Sequence, residues 1–244
     1  MRFARTLVRF SMAITALFVV TGASRAQESD DASYYMTIFS AQANSRDPRR
    51  THSFATFVKA ARTGDAAKDS PIEIHTISWM PRSLDIVILR RRPELGVNLD
   101  LESSLRWAAS KGSRVSMWGP YQINKELYDR AVAQEARLNS GFVLYKAIDR
   151  RFRPGTASNC IHAVADLDTD NGLLRSGQGR GDAASRQVAQ HLERWVINPE
   201  QSHTWVASRL GLNDGSGGIG LAKAKQFANE GADATIFLVS RGAH

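Results

Sequence analysis

The chain has 244 residues, 43% of them hydrophobic and 23% charged, a globular balance that excludes a disordered, collagen-like or coiled-coil polypeptide. A single cysteine excludes a disulfide framework and a cysteine-rich zinc domain, and the length allows one domain or two small ones. The formal charge is +8, but part of it belongs to an N-terminal segment with the features of an export signal.

That segment opens with Arg2, Arg5 and Arg9, continues with the apolar run Met12 to Val20, and ends in Ala23-Ser24-Arg25-Ala26, the small-residue pattern of a signal-peptide cleavage site. The run is too short to span a membrane, and no cysteine near the cut offers a lipid anchor. Residues 1–26 are expected to be removed and the protein exported, to the periplasm or the medium. Removal deletes four arginines and no acid, leaving +4 of the +8. A modest charge on an exported chain argues against nucleic acid as a partner. Arg90-Arg91-Arg92 is the dense basic run that remains, and reads as a solvated strand end rather than an anion site.

Residues 27–50 are polar and read as a flexible lead-in. His52 to Lys59 alternates as a half-buried strand should, Ile72 to Trp79 is a second strand stopped by Pro81, and Leu84 to Leu89 makes a third. Neighbouring strands joined by a short polar loop usually pair antiparallel. Asp100 caps a helix over Leu101 to Ser110 that Gly112 ends. Arg114 to Trp118 is a short strand closed by Gly119-Pro120, and Asn124 to Leu138 is the clearest helix, stopped by Gly141. Phe142 to Ala147 is a further strand. Helical spacing resumes at Cys160, with Ile161, Val164 and Leu167, and again from Ala183 to Val196. Strands and helices mix without strict alternation, so the predicted class is α+β, with the main domain at 51–210 and a Gly-rich helix–strand tail at 211–244.

A lone cysteine in an exported protein is a buried inert thiol, an intermolecular disulfide partner or a reactive nucleophile. Thr156-Ala-Ser158-Asn159-Cys160 combines cap-forming residues with the start of a helix, where unpaired N–H groups favour a thiolate. His52 and His75, on predicted strands, are the candidate bases.

Asn159-Cys160-Ile161-His162-Ala163 resembles the Asn-Cys-Glu-His-Phe motif of the lecithin–retinol acyltransferase-like branch of the NlpC-type hydrolases, which are circularly permuted papain-like enzymes. Ile161 stands where the motif has Glu, and Ala163 where it has Phe. The chain order His52, His75, Cys160 also matches that branch. The resemblance implies an antiparallel sheet with flanking helices, Cys160 as nucleophile, His52 as general base, His75 as the residue orienting it, and Asn159 in support. It implies no cofactor, and a peptide, acyl or lipid substrate of the cell envelope attacked through a thioester. The alternative is a catalytically inactive binding domain of the same build.

Asp214 to Ala232 resembles the start of a short-chain dehydrogenase, with Gly215, Gly218 and Gly220 near the dinucleotide fingerprint's spacing and Ala234 to Ser240 as the strand after it. Trp205 to Leu212 is a poor version of the strand that must precede the glycines, and too few residues follow to complete that fold. A third, weaker reading is thus an NAD(P)-binding oxidoreductase fragment. Asp166 to Gly172 resembles a calcium loop, but its glycine stands seventh rather than sixth, so an acidic turn is expected. Cys160 and His162 have no further ligand in sequence to make a zinc site.

Overall fold

The computed structural model describes residues 32–43, 49, 51–61, 70–150, 155–174, 181–201, 203–212 and 234–238. The export signal at 1–26 and the glycines Gly215, Gly218 and Gly220 lie outside the described residues.

The fold is α+β. Strands β1 (Ala32–Ala43), β2 (Thr51–Ala61), β3 (Ile72–Ile77) and β6 (Ser113–Ile123) form an antiparallel sheet in the order β3-β2-β1-β6, and β9 (Ala234–Leu238) adds antiparallel to the outer edge of β6. A second, mixed sheet runs β4-β5-β7-β8, from β4 (Trp79–Pro81), β5 (Glu94–Asn98), β7 (Leu144–Tyr145) and β8 (Ala157–Ser158). Only its β7–β8 pair is parallel. The helices are α1 (Leu101–Ser110), α2 (Lys125–Asn139), α3 (Cys160–Ala165), α4 (Asp182–His191) and α5 (Thr204–Arg209). None of the described helices is long and apolar enough to cross a membrane.

Within the expected lead-in, Ala32–Ala43 is a strand, flanked by both β2 and β6. Tyr34, Met36 and Ile38 pack with one core cluster while Phe39 and Ala41 pack with the other. A strand buried on both faces reads as a near-continuous apolar run and lacks the alternation that marks a half-buried one. Within the expected tail, β9 pairs with β6 in the same sheet.

The expected strand Leu84 to Leu89 is instead part of the loop between β4 and β5. Leu84 sits in the left-handed region at φ 57°, Leu89 points into solvent, and Ile86 alone of the run is fully buried. The strand that does form, Glu94–Asn98, is weak in β-formers. It depends on Gly96, since a Cβ there would fall 1.9 Å from Cζ2 of the buried Trp79.

Strand parity divides the core. Ala55 and Phe57 of β2 pack with Leu127 and Ala131 of α2, Ala163 and Val164 of α3 and Val188 of α4. Phe54, on the opposite face, packs with Leu105, Trp107 and Ala108 of α1 and Ala207 of α5. The large sheet therefore lies between an α2–α3–α4 layer and an α1–α5 layer, each burying side chains worth roughly 1.5–3 kcal/mol apiece. The caps read from sequence form as expected: Asp100 accepts from the Ser103 N–H and Asn124 from the Leu127 N–H.

Candidate functional site

Cys160 opens α3, and Asn159 is its N-cap, its side chain accepting the His162 N–H at 2.8 Å. The free thiol is buried. Burial pushes it up to about 11, although the backbone N–H groups of Ser53, Ile161 and Cys160 directed at the sulfur pull the other way. Desolvation therefore outweighs the helix-start amides. The neutral thiol is the favoured form at pH 7, and it is the unreactive one.

The β2 backbone at His52 lies near Cys160, because the next residue, Ser53, supplies one of the N–H groups at the sulfur. Its imidazole goes the other way. Successive strand side chains alternate faces, and the Ser53 hydroxyl meets Ser185 of α4 at 2.7 Å. The His52 ring stacks on Phe54 and stands edge-on to Trp107 of α1. Nε2 of His52 lies 2.8 Å from Ser78 Oγ, which lies 2.7 Å from Ser104 Oγ, and the Ser104 hydroxyl reaches the Asp100 carbonyl at 2.7 Å. His52 Nδ1 is buried without a hydrogen-bond partner. Burial lowers the ring to about 3. Burial thus favours the neutral form of both the thiol and the imidazole over a charged pair.

His75 is not joined to His52. It sits at the sheet edge, half-buried between two carboxylates, with Nδ1 2.5 Å from Glu135 of α2 and Nε2 2.9 Å from Glu73. Burial alone would lower its affinity for a proton, but the two carboxylates outweigh it and the net shift is upward. The expected trio thus resolves into three separate environments: a buried thiol beneath α3, a serine-bonded imidazole facing α1, and an imidazole clasped between β3 and α2.

The interaction that sequence reading missed is centred on Asp149, just after β7 and fully buried. Its Oδ2 lies 2.6 Å from Nδ1 of His162 and accepts the Asn159 N–H at 3.0 Å, while Oδ1 accepts from Asn159 Nδ2 at 3.3 Å. Asn159, expected to be a supporting residue, therefore fastens the start of α3 to a buried carboxylate. A histidine held by an aspartate is half of a hydrolytic triad. However, the other nitrogen of His162, Nε2, is buried with no hydrogen-bond partner, and residues two apart on a helix point about 200° from one another. No short-range signal links Asp149 to Asn159; only the β7–β8 pairing brings them together.

The remaining motifs resolve structurally. Asp168, in the calcium-like turn, is fully buried and held by both Nε and Nη2 of Arg194, so its carboxylate is engaged by a cation already in the chain. No group of three or more potential metal ligands occurs among the described residues. The segment before the glycine cluster is the helix Thr204–Arg209, not a strand, and β9 pairs antiparallel. A dinucleotide fingerprint needs a strand leading directly into its glycines and parallel neighbours beyond them.

No protein-family model, curated protein or solved structure matches this chain.

Proposed function

We propose that this chain is an exported, catalytically silent protein of permuted papain-like build, acting by binding at the cell envelope rather than by hydrolysis. One observation carries this reading: Cys160 is buried, and the His52 imidazole, one residue before the Ser53 N–H at the sulfur, faces the opposite side of the sheet. The cysteine and its Asn159 cap then serve to seat α3 against β2. The α+β class, the antiparallel sheet with helices on both faces, and the chain order of the two strand histidines and the helix-start cysteine support the architecture.

A second reading, a thiol hydrolase or acyltransferase acting on an amide or ester, is favoured by one feature. His52 Nδ1 is a buried, unpartnered nitrogen on the residue next to Ser53, whose N–H meets the sulfur. Activation then requires the imidazole to leave Ser78 and cross to the face of α3.

The rate of iodoacetamide alkylation against pH, in the native protein and in His52→Ala, separates the two. The binding reading expects slow labelling at neutral pH, rising only toward the thiol's value of about 11 and leaving His52→Ala unchanged. Rapid labelling near pH 6–7 that is lost in His52→Ala would establish an activated Cys–His pair and overturn the silent reading.

A further inference from the structure

The three most exposed large apolar side chains among the described residues lie in the β4–β5 loop, on β5 and just before β7, the strand paired with β5. Between β4 and β5, Leu89 is 84% exposed, and Leu95 follows on β5 at 55%. Phe142, at 86%, lies two residues before Leu144, the register partner of Leu95. Arg82, Arg91 and Arg92 are exposed around them, without an ion pair among the described residues. The acids of the loop region are already matched: Glu94 pairs with Arg90 at 2.7 Å and Asp85 with Lys111 at 3.2 Å. Three arginines are therefore left uncompensated beside three protruding apolar groups.

The loop is also held in place. Its ends are clamped by the β4–β5 ladder and by Arg82 N–H donating to the Leu95 carbonyl at 2.9 Å. Its middle is pinned by buried Ile86 and by Trp107 Nε1–H donating to the Leu84 carbonyl at 3.1 Å. A surface presented on such a frame loses little conformational freedom on binding.

We propose that this loop, with the adjoining start of β7, docks the protein on an anionic lipid surface. Single apolar side chains flanked by guanidinium groups suit insertion at the headgroup boundary, where each basic residue is attracted by the surface potential and each apolar one enters the acyl region. A protein partner would instead call for a contiguous apolar centre depleted of charge. The proposal names a ligand class for the binding reading, yet it depends on no property of Cys160, so either can fail without the other.

The test is sedimentation of the protein, purified after export, with vesicles of phosphatidylcholine alone and of phosphatidylcholine containing phosphatidylglycerol. The expected result is binding to the anionic vesicles only, weakened by salt. Arg91→Ser/Arg92→Ser should reduce binding about thirtyfold and Leu89→Ser about tenfold, with unfolding midpoints unchanged because these side chains are in solvent. Absence of binding, equal binding to neutral vesicles, or variants that sediment like the native protein would overturn the proposal. So would binding to polyglutamate that survives Leu89→Ser and exceeds binding to vesicles, which would assign the loop to an acidic protein partner.

Discussion

Replacing Asp149 by alanine should be among the most damaging substitutions available in this chain. The carboxylate is about 1% exposed and receives three hydrogen bonds: from the Asn159 N–H, from Asn159 Nδ2 and from His162 Nδ1. Alanine leaves three buried donors without an acceptor. Each unmet buried polar group costs about 1–3 kcal/mol, and partial relaxation brings the expected total to about 3–5 kcal/mol, the range seen when one member of a buried pair is removed. Asp149→Asn keeps one oxygen but presents an NH2 to a cluster of donors, so an intermediate loss of about 2–3 kcal/mol is expected. Urea unfolding followed by tryptophan fluorescence reads both, since Trp79, Trp118 and Trp195 belong to the core that α3 also joins. Because Asn159 seats the first turn of α3, native-state alkylation of Cys160 should accelerate in the Asn variant before global unfolding does. A loss below about 1 kcal/mol for alanine, with unchanged Cys160 labelling, would refute the view that this carboxylate holds the helix start.

Three further predictions follow from local geometry. Gly96→Ala should destabilise by about 1–3 kcal/mol, read as a lowered urea midpoint, because the new methyl would collide with the ring of Trp79. Asn124→Ala should cost about 1 kcal/mol by removing the acceptor for the Leu127 N–H at the start of α2, and Asn124→Ser should recover most of it. For His75, the folded protein binds a proton more tightly than the unfolded chain, so its contribution is fully present below the ordinary histidine value of 6.5 and lost as pH rises through the raised folded value. Glu73 is shifted down, chiefly by its hydrogen bond to His75, so its share is present above 4.5 and lost as pH falls through the lowered folded value. The stability difference between native protein and His75→Gln should therefore be greatest between about pH 4.5 and 6.5, amount to about 1 kcal/mol for this partly exposed clasp, and shrink toward pH 8.5 in urea titrations.

Sequence patterning revealed the parts of the fold that are amphipathic and locally capped. α1 and α2 each expose one face, so period 3.6 is visible, and Asp100, Asn124 and Asn159 announce the helices that follow them. β2 is buried on both faces from His52 to Val58 and was legible through its aromatic and β-branched residues, whereas β1, also buried on both faces, begins directly after a polar stretch. Leu84 to Leu89 misled because its apolar residues meet three fates: a left-handed turn at Leu84, a core anchor at Ile86 and full exposure at Leu89. The site was legible to the same extent. Asn159 and Cys160 are placed at a helix start as their types suggest, but Asp149 is ten residues upstream in a stretch with no periodicity. Ser78 and Ser104 are common residues whose hydroxyls acquire meaning only when β2, the β3–β4 bend and α1 converge on His52.

The order of His52, His75 and Cys160 along the chain carries no information about strand parity, and parity decides the chemistry here. On a strand, a shift of one residue transfers a side chain from one face of the sheet to the other. The β2 residue whose side chain lies on the layer of α3 and α4 is Ser53, and its hydroxyl is engaged with Ser185. The imidazole one position earlier is turned toward Phe54 and Trp107, where it is dry and neutral. The three N–H groups around Cys160 would stabilise a thiolate, but their pull is smaller than the cost of removing the sulfur from water. A base on the correct face, or solvent reaching the sulfur, would be needed to reverse that balance. The helix-start cysteine is thus built as a nucleophile is built, and held as a core residue is held.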